Sequence, residues 1–117
     1  MGVDQYTSSH VFQDLPDGGR IELQRDVDDP AGAATIRRHM QEIARRFGAG
    51  DFRLPRQVHA QEVPGTARMR ARRQLITYTY RELPRGAEVR LTSSDPEAIA
   101  AIREFLAFQR REHRAGH

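Results

Sequence analysis

The chain has 117 residues, with 19 basic against 16 acidic side chains, a formal net charge of +3 and a pI near 10.1. That length suits one domain able to bury a real core without staples. The absence of cysteine excludes disulfides, thiolate nucleophiles and cysteine-ligated zinc or iron–sulfur centres, and the absence of lysine excludes Schiff-base chemistry and a Walker-type phosphate lysine.

Every basic residue is arginine, and the carboxylates are interspersed among them. This is the pattern of a mixed surface more than of a nucleic-acid stripe. No basic segment followed by an apolar run opens the chain, and no stretch approaches the ~18 apolar residues of a membrane span, so a cytoplasmic protein is expected.

In chain order, "DLPDGGRIEL" at 14–23 reads as strand, tight turn and strand, with proline presetting φ and glycine accepting positive φ. A helix follows from Asp29, its natural N-cap, through Pro30 at the first position, to Gly48 as its stop. Ile36, Met40, Ile43 and Phe47 form its apolar stripe. Residues 49–72 come next and are longer than the ~12–15 residues beyond which a structureless connection is uncommon. Phe52, Leu54, Val58, Val63 and Met69 are spaced through them as anchors, so an ordered crossover is expected, ending in the basic "ARMRAR" entry to the third strand. In "RQLITYTYRE", Ile76, Tyr78 and Tyr80 alternate with Thr77, Thr79 and Arg81, the period of a half-buried strand. "ELPRGAEVRL" at 82–91 is a second strand, turn and strand, and Asp95-Pro96 starts a second helix with Ile102, Leu106, Gln109 and His113 along its stripe.

The second hairpin repeats the first: Leu15, Pro16, Gly18, Ile21 and Leu23 match Leu83, Pro84, Gly86, Val89 and Leu91. The helices match as well, in "DPAGAATIRRHMQEIARRF" and "DPEAIAAIREFLAFQRREH". The expected fold is therefore a single α+β domain over 1–117, a duplicated ββα–ββα with half-repeats 8–48 and 73–117 joined by the crossover 49–72. Its sheet has four mainly antiparallel strands, with two helices on one face and a pseudo-twofold axis. Phe108, with Phe105, widens the second helix's apolar surface beyond one stripe. A homodimer contact is the preferred explanation, and packing of the crossover or C-terminus on that side is the alternative.

Four histidines depart from the repeat. His10 shares a strand face with Phe12, His39 flanks the first helix, His59 sits in the crossover, and His113 stands where the first helix has Phe47. A polar group in place of an apolar one on a buried stripe invites a functional reading, since an unpaired imidazole costs about 1–3 kcal/mol to bury. The favoured function is a small metal- or ligand-binding protein, with His10, His39, His59 and His113 as candidate ligands for Zn, Cu, Ni or Fe and Glu62, Met40 or Met69 as further donors. The plainer alternative is a set of separate, half-buried histidines. A second function is a metal-free enzyme or binding module for an anionic or aromatic metabolite. There His59 and Glu62 would be the acid–base pair, Tyr78 and Tyr80 the walls, and Arg68, Arg70, Arg72 or Arg73 a fork for carboxylate or phosphate. Nucleic-acid binding, with bases stacked on Tyr78 and Tyr80, ranks last because no RNP, KH or helix-turn-helix pattern accompanies the arginines. Nothing in the chain decides whether it is an enzyme.

Overall fold

The computed structural model describes residues 8–52 and 63–115, with side chains as far as residue 111. Its elements are β1 (Ser8–Leu15), β2 (Gly18–Arg25), α1 (Pro30–Gly48), α2 (Thr66–Ala71), β3 (Ile76–Leu83), β4 (Gly86–Ser93) and α3 (Pro96–Ala115). A 3-10 turn, Arg73–Leu75, leads into β3. The sheet is four-stranded and antiparallel throughout, in the order β1-β2-β4-β3. This is an α+β fold with three helices, one more than expected.

Each hairpin closes through a proline-containing pair, Pro16-Asp17 or Pro84-Arg85, with Leu15 opposite Gly18 and Leu83 opposite Gly86. Space, more than dihedral freedom, requires the glycines here. A Cβ on Gly18 would lie 1.9 Å from the Leu91 carbonyl oxygen, and one on Gly86 would lie 2.0 Å from that of Leu23. The positive φ expected at both turns occurs at Gly18 alone, at 149°. The central β2–β4 ladder sets Ile21 opposite Val89. Beyond the ladder, the Arg25 N–H donates to the Arg85 carbonyl and the Ser93 N–H to that of Asp17, each at 2.9 Å.

The helices begin as their sequences dictate. The Asp29 carboxylate accepts from the Gly32 N–H at 3.0 Å, and that of Asp95 accepts from the Ala98 N–H at 2.9 Å. Pro30 takes the first helical position, where a missing N–H costs nothing. Gly48, expected as the stop, is the last helical residue instead, and the left-handed φ of 84° falls at Gly50.

Both long helices lie on one face of the sheet, and each covers mainly the hairpin of the other half: α1 lies over β4 and β3, and α3 over β2 and β1. Ile36, Met40 and Phe47 of α1 join Ile102, Phe105 and Leu106 of α3 and Leu23, Val89 and Leu91 of the sheet in one core. Burying each such side chain stabilises the fold by about 1.5–3 kcal/mol before entropy is counted. From the crossover, Phe52 and Met69 are buried as anticipated, and Val63 packs against the core. Leu54 and Val58 lie outside the described residues. The basic stretch read as an entry to β3 is the short helix α2, which packs on α3. Gly65, with φ 86°, brings the two into backbone contact; a Cβ there would stand 2.3 Å from the Ala101 carbonyl oxygen.

Candidate functional site

The strand period places Tyr78 and Tyr80 on the face of Ile76, against α1. The Phe47 ring meets Tyr78 edge-on at 6.1 Å. Neither tyrosine is therefore offered on the open side of the sheet for base stacking. The Tyr78 hydroxyl is buried without a hydrogen-bond partner, and burial raises its pKa. The Tyr80 hydroxyl closes no hydrogen bond of normal geometry, with Gln41 and Glu82 as the polar groups acting on it.

The arginines proposed as a fork hold α2 and the following turn in place. Arg68 pairs with Glu97 at 3.4 Å and with Glu104, both on α3. Arg72 pairs with Asp95 at 3.1 Å. Arg70 donates from Nε to the Gly50 carbonyl at 3.3 Å, and Arg73 to the Arg70 carbonyl at 3.0 Å. The helix α2 that they hold packs against α3. Phe105 is not part of an outer patch: it is buried in an aromatic cluster with Phe47 at 5.6 Å and Phe52 at 6.4 Å. Phe108 is half-buried, with the Arg111 guanidinium 5.9 Å from its ring centroid.

Of the candidate metal ligands, His10 faces the helices and stacks beside Phe12, ring centroids 6.4 Å apart. His39 is half-buried on the flank of α1, and its Nε2 has no hydrogen-bond partner. Burial, assisted by the positive charge of Arg46, lowers its pKa and keeps the imidazole neutral at pH 7. Met40 and Met69 are closed within the core. His59 and Glu62 lie outside the described residues, as does the side chain of His113. Among the described residues, no three His, Asp or Glu side chains gather into a group able to hold a metal ion. In the helix alignment, His39 stands where α3 has Phe105. The Phe105 ring at that place on the other helix is buried.

The strongest electrostatic feature lies on the opposite side of the sheet and was not anticipated from the sequence. Glu88, 1% exposed, accepts from Arg20 at 2.9 Å and Arg90 at 3.0 Å and pairs with Arg81 at 3.3 Å. Arg20 also donates to Glu22 at 2.6 Å and to the Gln13 side chain at 2.6 Å. That hydrogen bond from Arg20 holds the Glu22 carboxyl below the usual carboxylate range. A signal for this was present, because Arg20-x-Glu22 in one strand meets Glu88-x-Arg90 in its antiparallel neighbour.

No protein-family model, curated protein or solved structure matches the chain. Among the described residues, no helix is long and apolar enough to cross a membrane.

Proposed function

We propose that this protein is a small ligand-binding domain organised by histidine, with a transition metal as the favoured ligand and His39 as its first donor. The observation carrying the reading is the buried, unpartnered Nε2 of a neutral imidazole. Neutral imidazole is the form that binds Zn, Cu, Ni or Fe, and an orphaned buried acceptor gains most from a ligand. His10, His59 and His113 are the histidines from which further donors would come.

The scaffold on this reading is a duplicated ββα unit whose second half kept the frame while single positions diverged. Support comes from the equal hairpin registers, the matched glycines Gly18 and Gly86, and the paired backbone bonds Arg25 to Arg85 and Ser93 to Asp17. Under that duplication His39 is an acquired substitution at a position packed by Phe105 in the other half.

Titrating untagged protein with Zn, Cu, Ni and Co, read by melting temperature and by the His39 ring resonances, tests the proposal. A rise in melting temperature with at least one metal, together with a His39 shift, both lost in His39→Ala, is expected. If no metal moves either readout, the metal reading is abandoned. The metal-free alternative then rests on the buried Tyr78 hydroxyl, and the same melting assay with phosphate, carboxylate and aromatic ligands examines it.

A further inference from the structure

The side of the sheet away from α1 and α3 presents its polar residues in rows that run across the strands. One row is Gln13, Arg20, Arg90 and Thr79; the next is Val11, Glu22, Glu88 and Arg81. In the two central strands, therefore, like charges stand side by side, with both arginines in one row and both glutamates in the other. Each row alone is unfavourable, because like charges directly opposite in a sheet repel. The diagonal and along-strand ion pairs of Arg20, Glu22, Glu88 and Arg90 offset that repulsion within one chain.

We propose that this face is an interface for a second copy of the chain, the two sheets stacking about a twofold axis that runs between the rows, perpendicular to the strands. That rotation exchanges the rows strand by strand. Arg20 then faces the partner's Glu22, Arg90 faces the partner's Glu88, and Thr79 faces the partner's Arg81. A twofold axis parallel to the strands is rejected by the same pattern, since it sets arginine on arginine and glutamate on glutamate. An isologous contact must be self-complementary, and only the first axis makes this charge pattern so. The dimension also fits. Four strands about 4.8 Å apart and eight residues long give roughly 500 Å² per copy, hence about 1,000 Å² in all, the lower end for specific association. A face so polar, with its carboxylates already hydrogen-bonded, makes a weak contact that salt dissociates.

Thr79 supplies the test, because it is exposed and is not itself a member of the Glu88 ion pairs. Sedimentation of the full chain, wild type and two variants, at about 20 mM and about 500 mM salt compares strong with slight reach of surface charge. The expected result is a dimer at low salt that dissociates at high salt. Thr79→Arg, facing the partner's Arg81, weakens it several-fold, and Thr79→Asp strengthens it, with melting temperature confirming that both variants fold. A monomer at low salt and high protein concentration overturns the proposal. So does a dimer indifferent to salt and to both substitutions, which would place the contact elsewhere, for instance around Phe108. Neither outcome bears on the His39 reading, whose readouts are metal-dependent.

Discussion

Arg37 on α1 and Arg103 on α3 occupy matching helical positions and grip opposite hairpin turns. Arg37 donates to the carbonyls of Gly86 at 3.1 Å and Leu83 at 2.6 Å, and Arg103 to those of Leu15 at 2.9 Å and Pro16 at 3.4 Å. Each helix is thereby tied to the hairpin it covers, not to the one that precedes it in the chain.

Replacing Arg37 by alanine leaves two turn carbonyls without their charged donor. Hydrogen bonds to charged groups contribute about 1.5–3 kcal/mol, so Arg37→Ala should lower unfolding stability by about that much in urea titration. Arg103→Ala should cost less, because Arg103 is exposed and water can replace it. Arg37→Lys should recover only part of the loss, since an ammonium cannot span both acceptors as the planar fork does.

Glu88 is the one buried carboxylate among the described residues, and three arginines depend on it. Glu88→Ala removes the shared acceptor of three arginines, of which Arg81 and Arg90 reach water and Arg20 keeps Glu22, and should destabilise by about 1.5–3 kcal/mol, the scale of hydrogen bonds to charged groups. Glu88→Gln keeps the shape without the charge and should fall between alanine and wild type. Denaturant midpoints of the three proteins check the order.

His39 makes stability depend on pH with a definite sign. Burial lowers its folded pKa below the ordinary 6.5, so the unfolded chain binds a proton more readily. The stability this group allows is present in full above about pH 6.5 and declines as pH falls through that value towards the folded pKa. His39→Phe, which removes the titrating group and keeps a ring, should flatten the melting temperature profile across that window. An imidazole titrating at or above 6.5 by NMR contradicts the burial seen here.

The hairpins and both long helices were readable in advance because proline, glycine and Asp-Pro act locally, through fixed φ, close approach and capping. The third helix was not. Thr66–Ala71 offers only Thr66 and Met69 to the interior and has no side-chain cap, so it carries no apolar period to detect. Its helicity depends on packing against α3, and Gly65 permits that contact. The enclosure of Phe105 is not legible in the sequence for a related reason: it comes from Phe47 and Phe52, which meet it only once the chain has folded. For the candidate site, the sequence picked out His39 as out of place, while the loneliness of its Nε2 could be learned only from its surroundings. The alternating charges of β2 and β4 were visible as letters, but their meaning required the Ile21–Val89 register.

Because each long helix roofs the other half's hairpin, the order of synthesis matters. As the chain leaves the ribosome, β1 and β2 pair with no cover for Ile21 and Leu23, and α1 emerges before the strands it will lie on. The second is solved once β3 and β4 have been made, the first only when α3 follows. The apolar face of the first hairpin thus waits for the last of the described elements to complete its cover.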